Sequence, residues 1–176
     1  MPAAVPTAFH IACWLMDAAL QDNEYLSPQK LQRLLFLAQS YYGAVNNGRR
    51  LMPATFIADE MGPVEPNVYL AFSKGRLDFD IDPSDAEAVA SFLDDLWRRF
   101  GHHSADHLTR TTKQTPAYRD AFRRGERSEI GFEAMCRSFA DADFPCRSQL
   151  CGRQRIMITQ TGRPVAVHPW TPGMRT

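Results

Sequence analysis

Apolar positions recur at helical spacing along most of this chain, and capping residues punctuate them. Leu31, Leu34, Leu35, Ala38 and Tyr42 fall at i, i+3, i+4, i+7 and i+11, which is one stripe of an α-helix. Ser27-Pro28 opens that helix, because a serine hydroxyl accepts a free N–H and proline is tolerated at the first helical position. Asn46-Asn47-Gly48 stops it after about Val45. An earlier helix reads from Thr7 to Gln21, with Thr7 as its cap and Phe9, Ala12, Cys13, Met16 and Leu20 near one face.

Beyond the second helix, Leu51 to Met61 reads as irregular chain or a short strand centred on Phe56-Ile57-Ala58. Gly62-Pro63-Val64-Glu65-Pro66 reads as a rigid turn, and Pro66 starts a third helix carrying Val68, Tyr69 and Phe72. Asp82-Pro83 repeats the cap-plus-proline signal for a helix to about Arg99, with Val89, Phe92, Leu93, Leu96, Trp97 and Phe100 as its stripe. Ser104 caps a short helix to about Thr111. Thr115-Pro116 starts another, which carries Tyr118, Ala121 and Phe122 inward and ends at Gly125. Glu129 to Ala140 reads as a last helix.

After Pro145 the period changes. Arg155 to Gln160 alternates, Thr161-Gly162-Arg163 is a turn and Pro164 to His168 is extended, which together read as a β-hairpin or a tail that orders on contact. The expected fold is therefore mainly α: a compact multi-helix domain over residues 1–143 with a short strand element. A C-terminal hairpin or extended tail over 144–176 packs on it or on a partner.

Composition narrows the class. The formal net charge is zero over 176 residues and 44% of them are hydrophobic, as in a globule with a real core and no global pull toward nucleic acid or an anionic membrane. Charge is nevertheless uneven. Leu77 to Trp97 holds acids and no bases, whereas Phe144 onward holds Arg147, Arg153, Arg155, Arg163 and Arg175 and no acids. These are two solvated faces that attract each other, or patches for partners. No apolar run approaches the ~20 residues that span a bilayer. No secretory leader pattern opens the chain, and Cys13, Cys136, Cys146 and Cys151 form no C-x-x-C pair. Reduced thiols in a cytoplasmic protein are expected.

Candidate chemistry is sparse. His103 and His107 stand at i, i+4 beside His102 and Asp106, which is the spacing of helical zinc sites without their glutamate. Ser104, crowded by these histidines, is explained as a helix cap. The acids from Asp78 to Asp85 lack calcium-loop spacing, and there is no glycine-rich phosphate loop. No catalytic residue, cofactor or metal ligand is assigned. Tyr42 continues the apolar stripe and belongs to the core, while Tyr41 leaves the stripe as a candidate exposed anchor. Lys30 is either a solvated helix residue or a partner for acid near Asp59-Glu60. The Gly62 turn either sets the exit angle of the third helix or presents a surface.

Three segments together carry a resemblance. They are Lys30-Leu31-Gln32-x-Leu34-Leu35-Phe36-x-Ala38-Gln39, then Gly62-Pro63-Val64-x-Pro66-x-Val68-Tyr69-x-x-Phe72, then Phe100-Gly101-x-x-Ser104-Ala105-x-x-Leu108. Residues 8–140 resemble the Panacea domain of bacterial and phage antitoxins, a family that includes the SocA-type antitoxins. The Gly-Pro-Val-x-Pro-x-Val-Tyr piece is the most specific. Where the family often carries a tryptophan just before this turn, this chain has Asp59. The tail from Phe144 lies outside the resemblance.

The resemblance implies a small cytoplasmic antitoxin that binds a cognate toxin and in some cases hands it to an ATP-dependent protease of the ClpXP type. It implies no membrane and no enzymatic activity. The partner-binding residues nominated are Lys30, Tyr41, Met61, Gly62, Pro63, Val64 and Tyr69, with Arg153 and Arg155 in the tail as a second contact. Two other readings stand beside it: a metal-dependent hydrolase built on His102, His103 and His107, and a DNA-binding autoregulator using the C-terminal arginines.

Overall fold

The structure is a computed structural model that describes residues 2–73, 88–140, 155–158 and 164–167. Among them the order is α1 (Ala8–Gln21), α2 (Pro28–Val45), β1 (Phe56–Asp59), β2 (Gly62–Val64) and α3 (Pro66–Ser73). There follow α4 (Ala90–Phe100), α5 (Ala105–Lys113), α6 (Pro116–Arg124), β3 (Ser128–Ile130), α7 (Phe132–Arg137), β4 (Arg155–Ile158) and β5 (Pro164–Val167). The fold is mainly helical, with one small antiparallel sheet in the order β2-β1-β3 and a separate antiparallel pair, β4-β5. No described helix is long and apolar enough to cross a membrane.

The cap signals explain where several helices begin. The Ser27 hydroxyl accepts from Lys30 N at 3.1 Å, Ser104 from His107 N at 3.2 Å and Thr115 from Tyr118 N at 3.3 Å, each satisfying an otherwise orphaned N–H. Thr7 departs from this rule. Its hydroxyl meets His10 Nδ1 at 2.8 Å and caps nothing. The buried face of α1 is also rotated from expectation: Ile11, Leu15 and Ala19 are buried, and Leu20 is exposed. The Asp82-Pro83 start lies outside the described residues, and α4 is described from Ala90.

The centre of the molecule is α2. Every residue from Lys30 to Gly43 is buried, so the one-stripe expectation is too narrow. The cause is tertiary: α1, α3, α4, α5, α7 and β2 all pack on this one helix. Aromatic contacts bind these neighbours. Phe36 meets Phe56 of β1 edge-on at 5.6 Å, and Tyr42 meets Phe92 of α4 edge-on at 5.1 Å, the geometry the ring quadrupoles favour. A Cβ at Gly43 would stand 2.7 Å from the Phe132 ring and strike the Cys136 sulfur. Only glycine lets α7 approach α2 this closely.

The segment 62–66 is not a free turn. Gly62–Val64 forms β2, paired with β1 in the register Ile57↔Val64, Ala58↔Pro63 and Asp59↔Gly62, with Glu60-Met61 as the two-residue link. Pro63 lies in an edge strand, where a missing N–H is tolerated. On its other side β1 pairs with β3 (Phe56↔Ile130, Ile57↔Glu129, Ala58↔Ser128). Residues 129–130 therefore belong to a strand, and the final helix is confined to Phe132–Arg137. Phe122, expected inside, is 39% exposed and stacks on Tyr118 at 5.7 Å.

A helix buried on every side must find partners for its polar side chains. Gln39, fully buried, does so by clamping the loop before β1. Its Oε1 accepts from the N–H groups of Leu51 and Met52, both at 3.1 Å, and its Nε2 donates to Met52 O at 2.9 Å. Replacing it by leucine strands two donors and an acceptor in the core. Gln39→Leu is expected to cost about 3 kcal/mol of unfolding free energy in urea titration, whereas Gln29→Ala on the same helix outside its buried stretch stays within about 0.5 kcal/mol.

Candidate docking face on the hairpin and third helix

The hairpin and α3 are held from beneath by two further polar residues of α2. Gln32 Oε1 accepts from Glu65 N at 2.7 Å. Glu65, itself buried, then caps α3 with its carboxylate, accepting from Val68 N at 2.6 Å and from Asn67 Nδ2 at 2.9 Å. A carboxylate at this position also suits the positive end of the helix dipole.

Arg33 is the larger device. It is 1% exposed, and its guanidinium donates to the carbonyl oxygens of Met61 and Pro63 and, through Nε, to Thr109 Oγ1 at 3.2 Å. No carboxylate forms an ion pair with it among the described residues. Burial therefore pushes its pKa down to about 10, and the charges of Tyr118 and Asp59 oppose that shift. It stays protonated at neutral pH and spends its donors on two successive sides of the hairpin.

Gly62 sits directly over this group. Its φ is +119°, and a Cβ there would stand 2.8 Å from Arg33 Cζ. The tight approach and the backbone angle each demand glycine.

Asp59 braces the hairpin from the other side. Its carbonyl accepts from Tyr118 OH at 2.6 Å. Its carboxylate accepts from Met61 N at 3.1 Å and lies 3.7 Å from Arg127 Nε. Lys113 Nζ donates to Glu60 O at 3.0 Å. The tip is thus tied to α2, α5 and α6 before any partner arrives.

The nominated residues divide sharply in this setting. Met61 is 59% exposed and Tyr69 is 50% exposed, with Leu70 beside it also outside. Gly62 and Pro63 are buried and Val64 is half-buried, so these three shape the hairpin and present little of themselves. Tyr41 is a correction. It is 5% exposed, packed against Phe139 at 4.5 Å and Phe100 at 5.5 Å, because α4 and the chain after α7 cover the side of α2 that its sequence leaves unstriped.

Lys30 is a second correction. It is buried, reaches Glu24 at 3.7 Å rather than the acids of the hairpin, and lies 5.9 Å over the Trp97 ring. Arg153 lies outside the described residues and Arg155 is the first residue of β4. The residues that sequence reasoning missed are Gln32, Arg33, Gln39 and Glu65. Their signal was present: polar side chains set inside a helix and turn otherwise rich in leucine, phenylalanine and proline.

The histidine cluster forms a small surface group. His103 and His107 stack at 4.4 Å between ring centroids, and His102 Nδ1 lies 3.4 Å from Glu24 Oε1. The His103 pKa is lowered, first by desolvation and then by the neighbouring charges of His107, His102 and Lys30. Among the described residues no three or more His, Cys, Asp or Glu side chains gather as a metal site.

No family model, curated protein or solved structure matches this chain in comparisons with known proteins.

Two outcomes follow for the site. Arg33→Lys keeps the charge but loses the fork, and Gly62→Ala adds a clash at a left-handed angle. Each is expected to destabilise the domain by about 2 kcal/mol in thermal or urea unfolding, with faster amide exchange in β1 and β2. For the histidines, the folded pKa of His103 lies below its ordinary value of 6.5, so the unfolded chain binds more protons as pH falls through that value. Stability therefore declines slightly as pH drops from 7 toward 5. His107→Gln is expected to move the His103 midpoint upward in an NMR titration.

Proposed function

We propose that this chain is an antitoxin-type binding protein that neutralises a cognate toxin by direct contact and performs no bond chemistry itself. The observation that carries this reading is the fate of the residues in the Panacea-like segments. Gln32, Arg33 and Gln39 are spent inside the molecule, and what they hold rigid is a hairpin tip and a helix that offer Met61 and Tyr69 to solvent. Side chains whose donors are already committed to backbone carbonyls have little left for a substrate. A stiff platform with exposed sulfur and aromatic groups suits an interface of about 800 Å² per partner, where such groups act as anchors at low entropic cost. The proposed setting is the cytoplasm, and delivery of the bound toxin to an ATP-dependent protease is one way in which such a complex ends.

The test is co-expression with the protein encoded next to it. Rescue of growth and co-purification of a stoichiometric complex are expected. Met61→Asp combined with Tyr69→Ala is expected to weaken the complex at least about a hundredfold, the loss of two hot-spot anchors, with the unfolding midpoint unchanged. Tyr41→Ala should do the reverse. It costs about 3 kcal/mol of stability as a buried aromatic truncation and leaves the affinity of the folded fraction intact. Absence of both rescue and complex sinks the reading, as does full binding by the Met61/Tyr69 double variant.

A further inference from the structure

Where α4 gives way to α5, basic groups crowd a helix start. The His103 and His107 rings stack at 4.4 Å between centroids and 25° between planes. Among the described residues no carboxylate pairs with either ring. The groups around the stack are mostly of one sign. Lys30 bears on His103 from α2, and His102 from its own loop. Arg99 of α4 lies 5.5 Å over the Phe100 ring, against which His103 packs at 6.4 Å. Arg110 stands one turn along α5 from His107, and Asp106 beside His107 is the one acid on that helix. Glu24, from the chain between α1 and α2, is shared by Lys30 at 3.7 Å and His102 at 3.4 Å.

The two stacked rings span the N-terminus of α5. His103 precedes the Ser104 cap, and His107 is the third residue of the helix, its N–H bonded to Ser104 Oγ at 3.2 Å. While neutral, the rings staple the first turn to the chain that leads into it, as apolar side chains do at other helix starts. Once protonated, they repel each other, and both oppose the positive end of the α5 dipole. Two unit charges at this separation shift an equilibrium about fivefold even at the dielectric of water.

Helix α5 in turn supports the hairpin. Thr109 Oγ1, two residues past His107, accepts from Arg33 Nε at 3.2 Å, and Lys113 Nζ donates to Glu60 O at 3.0 Å.

We propose that the His103–His107 stack is an acid-released staple. As pH falls from about 7 toward 5, the first turn of α5 comes away from the end of α4, and Arg33 loses its Thr109 acceptor beneath the hairpin. His102 gains from the same protonation, because a charged ring is drawn more strongly to Glu24. It holds the corner to the chain between α1 and α2, so the movement falls on α5. The consequence for toxin binding rests on the function proposed above, and the movement itself does not.

The experiment is amide hydrogen exchange by NMR on the full chain at about pH 7.5 and about pH 5, with rates corrected for the intrinsic effect of pH. The amides of residues 108–111, whose helical acceptors lie at residues 104–107, are expected to lose protection about fivefold in acid. Those of β1 and β2 should lose about twofold or more, and those in the middle of α2 should stay constant. His103→Gln with His107→Gln is expected to abolish the acid response. His107→Glu completes a capping box with Ser104 and gives His103 a carboxylate neighbour, so protection should persist in acid and the His103 midpoint should rise. Unfolding midpoints verify that each variant is folded.

The proposal is overturned if residues 108–111 keep their protection in acid, if β1 and β2 do not respond, if α2 loses as much as α5, or if the double glutamine variant responds like the native chain. Failure of the docking reading shows separately, as the absence of a complex at about pH 7.5.

Discussion

A helix that is enclosed on all sides cannot leave a polar atom unanswered, and α2 meets that demand by gripping the backbone of its neighbours. Gln39 holds residues 51–52, Gln32 holds the start of α3, and Arg33 holds both sides of the hairpin. The cost of an unpaired buried amide or charge is of the order of a few kcal/mol each. The same groups that threaten the core therefore become the ties that position loops which have no regular structure of their own. Removing the apolar contacts of α2 would loosen the domain. Removing its polar contacts would detach particular segments from it, among them the hairpin that exposes Met61.

Much of the helical plan is legible locally, for reasons confined to a few residues. Ser27-Pro28, Ser104 and Thr115-Pro116 each place a hydroxyl and a permissive first residue where a helix starts, and α2, α5 and α6 begin at those points. What is not legible depends on partners far along the chain. Ser128–Ile130 becomes a strand only because β1 offers an open edge to it. Tyr41 is buried because Phe100 and Phe139 come from elements that a helical period cannot see.

The candidate face was half readable. The Gly-Pro-Val segment marks the hairpin, yet Gly62 and Pro63 turn inward and Val64 is half-buried. The side chains that remain outside are Met61 before it and Tyr69 after it. Arg33 stands off the apolar stripe of α2, and arginine is almost never fully buried unless paired. Here its pairing is with carbonyl oxygens in place of a carboxylate, a possibility that spacing along a helix does not encode.

The sheet has a consequence of its own. Pro63 occupies the outer strand β2, and the opposite outer strand, β3, is three residues long. One margin lacks a donor and the other is too short to template a further strand. Another polypeptide therefore gains little by extending this sheet edge to edge, whether as a partner or as a misassembled copy. Whatever engages this region must read side chains, so its selectivity rests on shape and chemistry rather than on generic main-chain pairing.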